Sequence, residues 1–247
     1  AKVITCHLRG AHRLPFSPNR DQHSCFPRVS IHFSAVHTPP RLEHLTTAQS
    51  RTVFTNWLRD LMVEQQFATE MEFGQRTIAE AIVAAARLRP GHVALLDVTA
   101  ELKYRRILVG ADLLGRQLDR VLPAEQKRIG VLLPNVNATP ILLLGLWESG
   151  RVPAMLNYSQ GAATMLACCA LAGLKHIVTS RAFLERARLK LDALHEAGLQ
   201  FIYLEDLRAH IGFAGKLAAS LRARFDPHSA IRNAPSADST AVVLFTS

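Results

Sequence analysis

Short apolar runs alternate with amphipathic segments through the second half of the chain. Apolar runs predict buried strands, and segments with apolar residues three and four positions apart predict helices. Strands are predicted over Ile129–Leu133, Val152–Leu156, His176–Thr179, Gln200–Leu204 and 241–245, and helices over Ala138–Ser149, Ala162–Gly173 and Arg181–Ala197. Such alternation is typical of βαβ units, in which helices cover both faces of a parallel sheet. The predicted fold class is therefore α/β.

The middle of the chain continues this pattern. A helix is predicted over Thr77–Leu88, where a Pro-Gly pair ends it, followed by a strand over His92–Val98 and a helix over Leu102–Leu122. Another helix begins near residue 206. The stretch over 230–240, rich in Ala, Pro, Ser and Asp, is predicted to be a linker.

The first 72 residues have a different pattern. Alternation with period two predicts strands over 2–8 and 28–33, and a helix is predicted from Thr46 or Thr47 to about Glu72. Trp57 belongs to the apolar stripe of this helix and is predicted to be a core residue. Because two strands and one helix bury little surface, we expect further chain before Ala1.

The balance of charge adds one candidate surface. The chain has 29 Lys+Arg and 20 Asp+Glu, a net charge of +9, and 49% hydrophobic residues, a content that excludes a largely disordered chain. No basic tail of the kind that binds nucleic acid is present. In the first 41 positions a single acidic residue, Asp21, stands against Lys2, Arg9, Arg13, Arg20, Arg28 and Arg41. Phospholipid headgroups would attract such a patch by about 1 kcal/mol per basic residue, and a solvated loop is the equally open alternative.

Cysteine, histidine and apolar-run patterns predict a cytoplasmic chain without a metal centre. The four cysteines show no CxxC spacing, and Cys168 and Cys169 lie in a predicted buried helix, which indicates reduced thiols. Six of the eleven histidines fall in the first 44 residues, but none has metal-ligand spacing. Prolines and polar residues interrupt the uncharged stretches over 129–147 and 152–174, so neither is predicted to span a bilayer.

One spacing resembles a catalytic motif. His92 and Asp97 form a His-x4-Asp pair, which glycerolipid acyltransferases use as a base with its orienting carboxylate. The intervening Val-Ala-Leu-Leu is a buried-strand pattern, and residues five apart in a strand point to opposite faces. We therefore expect that His92 and Asp97 do not form a catalytic pair.

Five segments in order carry a resemblance to a known superfamily. The final run, Val242–Ser247 (VVLFTS), follows Ile129–Asn135 (IGVLLPN), Leu146–Tyr158 (LWESGRVPAMLNY), Ile177–Leu184 (IVTSRAFL) and Phe201–Leu207 (FIYLEDL). Over about residues 92–247 the chain resembles the N-terminal half of adenylate-forming acyl-activating enzymes. Within that superfamily it is most similar to bacterial bifunctional 2-acylglycerophosphoethanolamine acyltransferase/acyl-(acyl-carrier-protein) synthetases.

The start of the chain carries a less specific resemblance. Val3-Ile4, Arg9–Ala11, Arg28–His32 and Pro39-Pro40 resemble the end of the acyltransferase domain in these bifunctional enzymes. The resemblance implies that residues 1–72 are the C-terminal part of an α/β lysophospholipid acyltransferase domain. Residues 73–91 would then be a linker with a helix, and residues 92–247 a partial parallel-sheet lobe of an AMP-binding domain.

The resemblance also implies activities, cofactors and partners. The parent protein would activate a fatty acid with ATP and Mg²⁺ and pass the acyl group to acyl carrier protein. It would then re-acylate lysophospholipid, mainly 2-acylglycerophosphoethanolamine, at the inner face of the membrane. Thr246 and Ser247 would open the phosphate loop and are the predicted nucleotide-binding residues.

The departures from the family pattern limit what this chain is expected to do alone. The Gly-rich, lysine-containing phosphate loop would follow Ser247, and the acyltransferase histidine motif would precede Ala1. The resemblance assigns no catalytic residue and no metal ligand within the chain, and we expect the 247 residues alone to form no acyl-adenylate. Two alternatives stay open: the N-terminal lobe of a plain acyl-CoA or acyl-carrier synthetase, and a non-catalytic lobe that docks a partner through its basic face.

Overall fold

The chain divides into two units, Ala1–Arg76 and Thr77–Ser247, in a computed structural model. The structure describes residues 2–17, 26–41, 43–73, 77–230, 233 and 236–245. The division lies inside the predicted 73–91 segment, and the helix of that segment belongs to the second unit.

The first unit consists of one β-hairpin and one long helix. Strands β1 (Cys6–Arg9) and β2 (Ser30–Phe33) pair antiparallel, with Arg9 opposite Ser30. Helix α1 (Thr47–Phe73) begins where the sequence predicts. There the Thr46 hydroxyl accepts a hydrogen bond from Gln49 N (3.4 Å), and the Gln49 side chain accepts one from Thr46 N (3.0 Å). This exchange satisfies N–H groups that a helix start leaves free.

Polar contacts attach helix α1 to the hairpin. Gln65 Nε2 donates to the carbonyl oxygens of His32 (2.7 Å) and Thr5 (3.3 Å), and Arg9 Nε lies 3.2 Å from Glu70. The prediction that Trp57 is a core residue is wrong, because Trp57 is only half-buried. A hairpin of two four-residue strands is too small to cover the apolar stripe of a 27-residue helix.

The second unit contains seven strands and eight helices among its described residues. The strands are β3 (Val93–Leu96), β4 (Glu101–Lys103), β5 (Arg128–Val131), β6 (Val152–Met155), β7 (His176–Thr179), β8 (Gln200–Tyr203) and β9 (Val243–Leu244). The helices are α2 (Ile78–Leu88), α3 (Tyr104–Val121), α4 (Ala138–Glu148), α5 (Gly161–Ala172), α6 (Arg181–Ala187), α7 (Asp192–Glu196), α8 (Leu204–Ala209) and α9 (Phe213–Phe225). Each described helix is too short or too polar to span a bilayer.

A five-stranded parallel sheet forms the centre of this unit, in the order β8-β7-β5-β6-β9. On one face, the first helical layer, Leu118 of α3 and Leu146 of α4 pack against Ile129 and Val131. On the other face, the second helical layer, α5, α6 and α7 pack against the opposite side of the same strands. The predicted α/β class with a parallel sheet covered on both faces is therefore confirmed.

Two local predictions need correction. The helix predicted over 181–197 is two helices, α6 and α7, because Arg188 adopts a left-handed conformation (φ 51°) that ends α6. The strand predicted over 92–98 is shorter and forms an antiparallel hairpin with β4, which the sequence pattern did not reveal. The next helix consequently begins at Tyr104 instead of Leu102.

Helices α3 and α4 approach to backbone contact at a pair of glycines. A Cβ added at Gly145 would lie 3.2 Å from Gly115 N, 3.3 Å from Ala111 O and 3.1 Å from the Leu114 Cβ. A Cβ at Gly115 would lie 3.0 Å from Gly145 O. Only glycine leaves room for this crossing without a shift of one helix.

We expect Gly145→Ala to destabilise the second unit by about 1–3 kcal/mol, because its methyl group would overpack the crossing. The gain in helix propensity of about 1 kcal/mol would offset only part of this cost. The matched control is Gly215→Ala in α9, where the nearest atom to an added Cβ is 4.0 Å away. Urea denaturation followed by circular dichroism would measure both. Equal midpoints for the two variants would contradict the close crossing.

Candidate functional site

The parallel sheet creates a crevice at the carboxyl ends of its central strands. Strand β5 lies between β7 and β6, and the chain after β5 enters the first helical layer. The chains after β6 and β7 enter the second layer, so neighbouring strands send their connections to opposite faces. In open α/β sheets ligands bind at such switch points, beyond the carboxyl ends of the strands.

A cavity of about 410 Å³ occupies this crevice. Its walls come from the segments that follow β5, β6, β7 and β8, and its lining residues are Leu133, Pro134, Val136, Ala138, Tyr158, Ser180, Ala182, Phe183, Arg186, Ala187, Leu204, Glu205 and Arg208. Most of these side chains are apolar. The volume lies within the range of about 300–1,000 Å³ that is usual for small-molecule sites.

The Glu205 carboxylate accepts hydrogen bonds at the N-terminal end of helix α6, on one side of the crevice. Ser180 Oγ donates to Glu205 Oε1 (2.7 Å), and the backbone N–H groups of Arg181 and Ala182 donate to the same carboxylate. Burial raises the pKa of Glu205, but these hydrogen bonds outweigh it and leave the pKa below its ordinary value. Glu205 therefore stays ionised, and both of its oxygens are occupied.

A second pair holds the outer side of the crevice. Arg181 donates two hydrogen bonds to Asp206, at 2.6 and 2.8 Å, and its guanidinium lies 4.0 Å from the centre of the Tyr203 ring. The hydrogen bond from Arg181 lowers the pKa of Asp206. Arg181 and Asp206 are therefore paired with each other and not with a ligand.

Two cations at the crevice remain free. Arg186 and Arg208 line the cavity and are exposed, and their guanidinium groups make no hydrogen bond or ion pair with any described residue. Beside them, the rings of Tyr158 and Phe183 meet edge to face, with centroids 5.2 Å apart. The arrangement suits a ligand that has an apolar part and an anionic group.

Asp97 fixes the wall of the crevice and does not form a dyad with His92. Its Oδ1 accepts hydrogen bonds from the N–H and hydroxyl of Thr99 and from Ala100 N, and its Oδ2 accepts one from Asn137 N (2.8 Å). The hydrogen bond from the Thr99 hydroxyl is the main reason that the pKa of Asp97 lies well below its usual range. The His92 ring instead stacks with Tyr104.

The tie between Asp97 and Asn137 escaped the sequence analysis. Asn137 Nδ2 also donates to Ala100 O (2.7 Å), so the β3–β4 turn holds the segment between β5 and α4 at two points. That segment lines the cavity through Pro134 and Val136. An Asp-x-Thr sequence, typical of a side-chain-capped turn, was the signal available.

The predicted nucleotide-binding residues, Thr246 and Ser247, lie outside the described residues. The strand that leads to them pairs in parallel with β6, with Met155 opposite Leu244. Trp147 Nε1 donates to Ala241 O (2.8 Å) and holds the approach to this strand. The chain after Leu244 therefore leaves the sheet at the same carboxyl edge as the crevice.

Cysteine and potential metal ligands give no further site in the described part of the chain. No group of three His, Cys, Asp or Glu residues there could hold a metal ion. Cys169 is buried, and burial raises the pKa of its thiol to about 11, which makes it unreactive. Cys6 is exposed and Cys168 half-buried, and Cys25 lies outside the described residues.

The parallel sheet with helices on both faces and the crevice at its switch point identify this unit as a doubly wound α/β domain. Residues 82–247 match the protein family described as AMP-binding enzyme, and this match covers well over half of the chain. The chain therefore belongs to the AMP-binding enzyme family.

Several solved structures are similar to this chain at low sequence identity. VinN in complex with 3-methylaspartate is 20% identical, with a TM-score of 0.52 over 69% of this chain and 44% of its own. A benzoate CoA ligase from Burkholderia xenovorans LB400 is 23% identical (TM-score 0.45, 53% of this chain and 28% of its own). The O-succinylbenzoate CoA synthetase MenE from Bacillus subtilis is 16% identical (TM-score 0.45, 51% and 26%). The chain spans less than half the length of each of these proteins.

We expect Asp97→Asn to lower the melting temperature of the second unit, and His92→Ala to leave it nearly unchanged. Because the folded-state pKa of Asp97 is below its unfolded value of about 3.9, its contribution is present above pH 4 and is lost as the pH falls through the folded pKa. The difference between Asp97→Asn and the unaltered chain should therefore shrink on acidification. Thermal melts from pH 3 to pH 7 would measure it.

His92→Ala also tests the conclusion that His92 and Asp97 form no catalytic pair. His92→Ala in the full-length enzyme should leave any acyl transfer to lysophospholipid within a few-fold of its original rate. A loss of about 10²–10⁴-fold, as expected for removal of a general base, would place an acyltransferase site inside this chain.

Proposed function

We propose that the protein is an acyl-activating ligase that uses a fatty acid and ATP and delivers the acyl group to lysophospholipid. The fatty-acid carboxylate attacks the α-phosphorus of ATP, and pyrophosphate leaves. The thiol of acyl carrier protein then attacks the acyl carbonyl, and AMP leaves. A hydroxyl of the lysophospholipid, mainly 2-acylglycerophosphoethanolamine, finally attacks the thioester and releases the thiol.

The AMP-binding family match over residues 82–247 is the observation that carries this proposal. Two features of the crevice support it. Its apolar lining, which includes Leu133, Val136 and Phe183, suits an apolar substrate or an acyl-carrier arm, and the free guanidinium groups of Arg186 and Arg208 suit a phosphate. The predicted phosphate loop would follow β9, and the carboxyl end of β9 lies at the same edge of the sheet.

The described crevice residues do not fit a magnesium site. Magnesium is usually held by one or two carboxylates together with substrate phosphates. Glu205 is the one carboxylate among the cavity-lining residues, and three neighbours donate hydrogen bonds to its two oxygens. The magnesium expected to accompany ATP therefore has no assigned ligand here.

The proposal also assigns the first unit to the inner face of the cytoplasmic membrane, as part of an acyltransferase-like domain. Residues 10–17 follow β1 and residues 26–29 precede β2. Among these residues, Phe16 and Phe26 are 97% and 96% exposed, and Arg13 and Arg28 are exposed as well. Exposed aromatic rings beside basic side chains suit the interface of an anionic bilayer.

We expect the full-length enzyme to catalyse ATP–pyrophosphate exchange that depends on a fatty acid. The assay would compare fatty acids of several lengths with benzoate and aspartate, followed by acyl transfer to CoA, acyl carrier protein and 2-acylglycerophosphoethanolamine. Ala182→Trp, which fills the cavity, should lower the overall rate by at least about tenfold. Ala163→Trp, an exposed helical position outside the cavity lining, is the matched control.

Each contrary outcome removes a defined part of the proposal. Exchange with aspartate or benzoate but not with fatty acids would overturn the substrate class. If fatty acids support ATP–pyrophosphate exchange but the acyl group is transferred only to CoA or to acyl carrier protein, the protein is a plain synthetase and the lysophospholipid step is wrong. No exchange with any acid would favour a non-catalytic lobe.

We expect the chain to sediment with phosphatidylglycerol vesicles, and with neutral phosphatidylcholine vesicles at least about tenfold less. Phe16→Ser with Phe26→Ser should weaken vesicle binding at least about tenfold, because a fully buried Phe contributes about 1.5–3 kcal/mol. Phe213→Ser, at a phenylalanine of the second unit that is 81% exposed, is the control. Binding that ignores both lipid charge and the two phenylalanines would contradict the membrane assignment.

A further inference from the structure

A second, smaller cavity lies on the outer side of the first helical layer. It has a volume of about 190 Å³ and is formed by the C-terminal half of α3, the turn between α8 and α9, and the start of α9. None of its lining residues is shared with the crevice. This size is below the usual range for drug-sized ligands and suits a small group.

The lining of this cavity is strongly cationic. Arg116, Arg120 and Arg222 line it, and none of the described lining residues is acidic. The buried Asp112 lies behind the lining and accepts hydrogen bonds from Arg116 Nε (2.9 Å) and from Arg222 Nε (3.2 Å). One carboxylate thus orients two guanidinium groups and neutralises only one of the three arginine charges.

Free hydrogen-bond donors accompany these charges. Each guanidinium carries five N–H groups, so Arg116 and Arg222 keep donors that Asp112 does not use. Arg120 is exposed, and its side chain has no partner among the described residues.

A largely buried side chain presents a polar group to the same cavity. Gln117 is only 8% exposed and lines the cavity, and its side chain makes no hydrogen bond with any described residue. Its amide is therefore free to donate to a ligand in the cavity.

The start of helix α9 adds backbone donors to the same cavity. Gly212 is its N-cap residue, no side chain caps this end, and the first turn contains no acidic residue. The first N–H groups of a helix have no intrahelical acceptor, and they favour an anion. Gly212 and Gly215 both line the cavity.

We propose that this cavity binds a phosphate group of a small soluble anion. Three arginines, an amide and a helix start converge there, and each of them offers hydrogen-bond donors. Phosphate oxygens accept such bonds from several directions, and guanidinium groups match their geometry. The site goes beyond the proposed ligase activity and does not depend on it.

Isothermal titration of the full-length protein with inorganic phosphate and with pyrophosphate, at constant ionic strength, tests the site. Arg120→Ala should weaken binding about tenfold, the effect of one lost charge-assisted hydrogen bond. Arg106→Ala, another exposed arginine of α3 that does not line the cavity, is the matched control. Arg186→Ala in the crevice should also leave this binding unchanged.

Gln117→Leu separates a ligand-binding role from a structural one. The leucine has a similar shape and lacks the amide, so we expect weaker phosphate binding with little change in the melting temperature. A lower melting temperature with unchanged phosphate affinity would overturn the proposal. So would an absence of saturable binding, a loss caused by Arg186→Ala but not by Arg120→Ala, or binding seen with phosphatidylglycerol vesicles and not with soluble phosphates.

Discussion

The backbone contact between α3 and α4 at Gly115 and Gly145 determines how closely the first helical layer packs. It allows Leu118 and Leu146 to reach the same strands. The segment that leads from β5 into α4 lines the crevice. A side chain at either glycine would push the two helices apart and alter the cavity wall.

Polar contacts add to the glycine contact. Asp112 is almost fully buried and joins α3 to α9 through Arg222, and it also pairs with Arg116 of its own helix. Such a group stabilises little beyond an apolar contact of the same shape, but it demands one arrangement, because a lone buried charge costs several kcal/mol. Asp97, which is only half-buried, connects the β3–β4 turn to Asn137. The Asp97–Asn137 contact thus positions a wall of the crevice, and the Asp112–Arg222 contact positions a wall of the smaller cavity.

The two units use apolar surface differently. In the second unit the strands β5 and β7 are buried on both faces. In the first, a single hairpin supports α1 largely through Gln65 and Glu70, and apolar side chains along the helix stay exposed. The second unit therefore buries its apolar residues internally, whereas the first leaves apolar side chains of α1 exposed.

The α/β class, the parallel strands and most helix limits could be predicted from local sequence, because burial on both faces of a strand and on one face of a helix leaves a local pattern. The sequence also contains the motifs of the AMP-binding family. Three contacts could not be predicted in this way. Asp97 accepts a hydrogen bond from Asn137, forty positions away, Glu205 accepts hydrogen bonds from the start of α6, and Gln117 faces a cationic cavity. The tertiary structure also decided that Trp57 is half-buried. A local pattern states which residues prefer burial, whereas pairing and cover depend on elements that are distant in the chain.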